Sequence, residues 1–145
     1  MKAQKTKILC KQICILCLLF SVLGGCQDQN TSSETEHLNE AMTKSESIME
    51  EMEPITSSVA IYDDKEKEIY AAAEVRHMDR LRLDKIRKEA HKKLSEEWPN
   101  ETVHFSTDKK ALIELRKLNK DLAAKKMGEE ELKKRLTKIE EHMKG

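Results

Sequence analysis

The residue types best suited to chemistry here are the cysteines, of which the 145-residue chain has four. Cys10, Cys14 and Cys17 have a C-x3-C-x2-C spacing that resembles an iron–sulfur cluster loop, where thiolates converge on the cluster. Their context removes that reading. They lie in or beside the apolar run Ile13 to Val22, behind Lys2, Lys5, Lys7 and Lys11, the pattern of a secretory signal that is discarded. The run is also shorter than the roughly twenty residues a helix needs to cross a hydrocarbon core. Cys26 differs, because it follows Leu23-Gly24-Gly25, and small residues let a signal peptidase accept the extended chain.

Leu23-Gly24-Gly25-Cys26 resembles a bacterial lipobox. That resemblance implies cleavage before Cys26 and acylation of its thiol, with palmitate-type chains. Each buried methylene then contributes roughly 0.8 kcal/mol, and two chains hold a protein firmly on a membrane. With Cys26 alkylated, the remaining chain has no free thiol and no disulfide, so its core is expected to be held by packing alone.

A second chemical feature is cationic. Arg76, Arg80, Arg82, Lys85, Arg87, Lys88, Lys92 and Lys93 are diluted only by Asp79, Asp84 and Glu89, for a local net charge of +5. Such a stretch suits an anionic partner: a lipid headgroup, a wall polymer or an acidic face of an envelope or spore protein. It lacks the aromatic interleaving that stacks on bases, so no nucleic acid is expected. The plainer account is that these charges solvate the outer face of a helix.

Ser106-Thr107-Asp108-Lys109-Lys110 stands where a strand passes into a helix. Free N–H groups with two lysines would suit a phosphate or carboxylate there, but Asp108 makes simple capping the better account. Glu101, His104 and His77 are the only suggestion of a metal site. Their spacing, like that of His91, matches no ligand pattern, and neither metal nor cofactor is expected. No G-x-S-x-G, P-loop, H-E-x-x-H or dinucleotide fingerprint occurs, and two of the four glycines belong to the leader. The chain is expected not to be an enzyme.

The elements that must position these groups follow from charge and periodicity. Losing residues 1–25, the signal peptide, removes four lysines and no acids and leaves the remainder at −4. Residues 26–56 carry −7 and residues 57–145 carry +3. Residues 26–56 are therefore expected to be an acidic flexible spacer. Leu38, Met42, Ile48 and Met52 give it only a weak helical pattern, and Glu50, Glu51 and Glu53 oppose the helix dipole at its end.

Beyond the spacer, Ser58–Tyr62 and Glu68–Arg76 alternate as strands buried on one side, joined by a loop over Asp63–Lys67. Leu83, Ile86, Ala90, Leu94 and Trp98 mark a helix that Pro99 ends. Glu101–Phe105 reads as a third strand, and Ala111, Leu112, Leu115, Leu118 and Leu122 mark a second helix. A helix between two strands implies a parallel crossover. The expected fold is α+β over residues 57–127, a three-stranded mixed sheet with both helices on one face, in the order strand-strand-helix-strand-helix. A C-terminal amphipathic helix occupies 128–145, with Leu132, Leu136, Ile139 and Met143 in a stripe and Glu129/Lys133, Glu130/Lys134 and Glu131/Arg135 pairs. Whether the stripe docks on the domain or pairs with another chain stays open at this level.

Two segments, His77-Met78-Asp79-Arg80-Leu81-Arg82-Leu83-Asp84-Lys85-Ile86-Arg87-Lys88-Glu89 and Val103-His104-Phe105-Ser106-Thr107-Asp108-Lys109-Lys110, carry a wider likeness. Together with the lipobox, the chain resembles the sporulation lipoprotein family of the YhcN and YlaJ type, from endospore-forming bacteria. The resemblance covers roughly residues 58 to 122 and implies a spore-associated lipoprotein of the cell envelope with no catalytic residues to carry over. The expectation is a non-enzymatic binding or structural protein, lipid-anchored outside the cell membrane. A helix-mediated interaction module and, more remotely, a wall-modifying enzyme are the alternatives.

Overall fold

The computed structural model describes residues 29–144, with side chains from Glu36 onward; the signal peptide, Cys26 and its two neighbours Gln27 and Asp28 lie outside the described residues. Its elements are α1 (Gln29–Glu50), β1 (Ile55–Asp63), β2 (Glu68–Val75), a 3-10 turn (His77–Arg82), α2 (Leu83–Glu97), β3 (Thr102–Ser106), α3 (Lys109–Ala123) and α4 (Glu129–Lys144). The fold is α+β around a three-stranded mixed sheet in the order β1-β2-β3. β1 runs antiparallel to β2, with Val59 opposite Ala72 and Ile61 opposite Tyr70. β2 runs parallel to β3, with Ile69 opposite Val103 and Ala71 opposite Phe105.

The β1–β2 connection is the longer loop that the missing Asn-Gly signature implies. The Asp63 carboxylate accepts the backbone N–H of Lys65 at 3.1 Å, closing an Asx turn. Lys67 then adopts φ 55°, and its carbonyl accepts Thr102 N at 2.9 Å, so the turn also seats the start of β3.

The helices do not share one face. Ala60, Tyr62, Ile69, Ala71, Ala73, Val75 and Val103 pack with Ile86, Ala90 and Leu94 of α2 and with Ala41 and Met49 of α1. Val59, Ile61, Tyr70 and Ala72 pack on the other face with Ala111, Leu112, Leu115 and Leu118 of α3 and Leu136 and Ile139 of α4. The one-sided reading of the strands is corrected for a physical reason. Ile69-Tyr70-Ala71-Ala72-Ala73 is apolar at both parities, the mark of a strand covered twice. The alanines let helices approach closely from both sides.

The spacer reading is corrected too. Residues 37–52 belong to the folded body, with Ala41, Ser45, Met49 and Met52 buried at near-helical spacing. The Glu46 carboxylate accepts the Ala60 N–H of β1 at 3.0 Å, so α1 also covers part of an edge that would otherwise be open to pairing. Packing overrides the unfavourable acids at its end.

α4 docks. Leu136 and Ile139 are buried in the core shared with α3 and the sheet. Three of its ion pairs cross to other elements, Glu129 meeting Lys65 and Lys133 meeting Glu66 in the β1–β2 turn and Arg135 meeting Asp121 at 2.6 Å, while Glu140 and Lys144 pair along the helix at 2.6 Å. Docking brings those carboxylates and cations nearer than the i,i+4 partners expected from the sequence.

Candidate functional site

The cationic stretch begins where β2 ends. Asp79, in the 3-10 turn, is buried at 6% exposure and accepts Arg76 Nε at 3.0 Å and the Arg82 guanidinium, while Arg76 also reaches Glu53 at 2.9 Å. The Arg82 hydrogen bond, aided by Arg76, holds the Asp79 carboxyl below the usual carboxylate range against the opposing effect of desolvation. Two of the eight cations are thus structural.

The remaining six divide again. Arg87 pairs with Asp84 at 2.8 Å and Lys92 with Glu96 at 3.6 Å. Arg80, Lys85, Lys88 and Lys93 are exposed and form no ion pair among the described residues. At 3.6 residues per turn, Lys85, Lys88 and Lys92 share the α2 face opposite Ile86, Ala90 and Leu94, and Arg87 and Lys93 sit on its two flanks. Lys109, at the start of α3, lines the same small recess as Arg80 and extends the charge onto a second element. The structure therefore leaves Arg80, Lys85, Lys88, Lys93 and Lys109 exposed and without ion-pair partners among the described residues and withdraws Arg76 and Arg82.

Two exposed residues of the 3-10 turn escaped the sequence reading. Met78 and Leu81 are 85% and 97% exposed. Their signal was available, since neither falls on the stripe Leu83-Ile86-Ala90-Leu94 that α2 buries.

The Ser106–Lys110 segment caps α3. Asp108 Oδ1 accepts Lys110 N at 2.8 Å and Ala111 N at 2.9 Å, and Ser106 Oγ accepts Asp108 N at 3.1 Å. The N–H groups that an anion would use are thus partly taken.

His104 stands apart from Glu101 and His77. Its ring stacks on Tyr70 at 4.6 Å between centroids, with Glu68 and Glu140 each at 3.7 Å from a ring nitrogen. Burial first, and the Glu68 acceptor second, push the Tyr70 hydroxyl far above the ordinary phenol range, so it serves as a donor. Among the described residues no group of three or more His, Cys, Asp or Glu has metal-holding geometry. A cavity of about 470 Å³ lies between Leu38, Tyr62, Leu132 and the β1–β2 turn, beside the Lys65–Glu129 and Lys133–Glu66 pairs.

No protein-family model matches the chain, and neither the curated proteins nor the solved structures contain a significant match to it.

Proposed function

We propose that this chain is a non-enzymatic binding or structural lipoprotein, anchored through acyl chains on Cys26 to the outer side of a bacterial cell membrane and associated with the spore. Support for the anchor is the leader and the Leu23-Gly24-Gly25-Cys26 motif. The observation that carries a binding role is the set Arg80, Lys85, Lys88 and Lys93, exposed and without carboxylate partners among the described residues. A basic surface of this kind suits recognition of an anionic partner. The alternative of helix pairing through α4 would need a stripe whose Leu136 and Ile139 are already buried within the chain.

Fractionation of growing cells and purified spores carrying tagged wild type or Cys26→Ala tests the anchor. Wild type in spore membranes with the variant released is the expected result. Equal membrane recovery of both proteins sinks the lipid anchor, and absence from spores removes the spore assignment. For the surface, Arg80→Glu/Lys85→Glu should weaken capture of an anionic partner with the fold intact, and unchanged capture would remove this surface from the reading; Arg82 is unsuited to the test because it pairs with buried Asp79.

A further inference from the structure

The turn between β2 and α2 presents apolar side chains where a water-soluble surface would place polar ones. A 3-10 helix has three residues per turn, so side chains at i and i+3 eclipse one another. The turn His77–Arg82 consequently has three faces. Asp79 and Arg82 share one, and their ion pair, with Arg76, ties it to the protein. His77 and Arg80 share the second. Met78 and Leu81 share the third, and at 85% and 97% exposure they stand almost wholly in solvent. The clasp on Asp79 ties down the turn behind two solvent-exposed apolar side chains.

Cations flank that pair along the chain. Arg80 lies between them in sequence, Lys85 and Lys88 follow on the outward face of α2, and none of the three has an ion-pair partner among the described residues. Two isolated side chains beside separated cations make neither a groove nor the roughly 800 Å² per partner of a standard protein interface. A fluid interface needs no shape match. It takes up apolar side chains to the depth of the headgroup boundary and offers phosphates to the flanking cations.

We propose that the His77–Arg82 turn and the start of α2 form a membrane-contact element: Met78 and Leu81 enter the headgroup boundary of an anionic bilayer while Arg80, Lys85 and Lys88 meet lipid phosphates. This rests on the reading of the chain as held at a membrane, which supplies the bilayer within reach. Burying a side chain of this size favours the bound state by about tenfold or more, and each basic residue near an anionic surface by about fivefold. Contact weakens as salt rises, because the attraction is screened within a Debye length.

The test places a fluorophore at the tip. The full chain carrying Leu81→Trp is compared with the parent, whose lone tryptophan, Trp98, is part-buried beside α1. Both are mixed with vesicles containing brominated phosphatidylcholine, either alone or in equal parts with phosphatidylglycerol. The expected result is extra quenching in Leu81→Trp on the anionic vesicles only, reduced at least about twentyfold in vesicle affinity by Arg80→Glu/Lys85→Glu. Replacing Met78 and Leu81 with Ser should lower vesicle binding of the otherwise unchanged chain by about a hundredfold or more with an unaltered thermal transition. Extra quenching on neither vesicle, or equally on both, overturns the proposal. An emission shift of Leu81→Trp with soluble polyglutamate but with no vesicle would assign the surface to an acidic protein and overturn it as well. Because the vesicles are added to the protein, quenching reads the turn even if Cys26 carries no lipid, so this proposal and the anchor fail separately.

Discussion

The indole N–H of Trp98 donates to the Ser45 hydroxyl at 3.1 Å, joining the end of α2 to the middle of α1 across 53 positions of sequence. Ser45 is completely buried, and its hydroxyl in turn donates to the Ala41 carbonyl at 2.9 Å. Lys44 adds an ion pair to Glu97 on the same side. The acidic N-terminal region is thereby tied to the sheet's first face.

Ser45→Ala should destabilise the protein by about 1 kcal/mol, because it leaves the indole donor without its acceptor. Met49→Ala, at a fully buried site of the same helix, should cost about 2–5 kcal/mol. Denaturant unfolding checks both. A flexible α1 would make each substitution silent.

Glu46 faces Ala60 from α1, and burial raises its carboxyl above the ordinary glutamate value despite the backbone hydrogen bond. The folded state therefore binds this proton more readily than the unfolded chain. Stability from this group increases as pH falls through the raised value toward the ordinary one, about 4.3. Glu46→Gln keeps the acceptor without the charge and should be at least as stable as wild type near neutral pH. Melting temperatures measured in parallel should show that difference shrinking in mild acid, and a constant difference would contradict the assignment.

Asp79 has the opposite sign. Its folded carboxyl lies below the ordinary value, about 3.9, so its stabilisation is complete above that pH and is lost as pH falls through the depressed value. Asp79→Asn should raise amide exchange across His77–Arg82 at neutral pH and remove this acid-dependent loss. Exchange unchanged from wild type would mean that the turn is held by something other than the arginine clasp.

Leu136→Ala should cost about 2–5 kcal/mol, since the side chain is buried between α4 and the second sheet face. Deleting residues 129–145 should abolish or greatly lower the cooperative thermal transition. A retained transition would return α4 to the role of a partner-seeking helix.

Local periodicity made most of the elements legible. The alternation in Ser58–Tyr62 and Glu68–Arg76, the stripe from Leu83 to Trp98 and the acid-led stripe from Glu129 each report short-range geometry, and the structure places β1, β2, α2 and α4 accordingly. The Asp108 cap was equally readable, because its bonds reach only two and three residues ahead.

The sequence by itself determined where the helices and strands beyond α1 form and which stretch is rich in cations, because periodicity and charge are properties of neighbouring residues. Tertiary structure alone decided that α1 is core, since Ala41, Ser45 and Met49 gain their stabilisation from Trp98 and the sheet, not from helix propensity. It also decided that α2 and α3 cover opposite faces, that Asp79 neutralises Arg76 and Arg82 but not Arg80, and that Met78 and Leu81 remain in solvent. Those outcomes depend on distances between groups far apart in the chain, and no local pattern contains them.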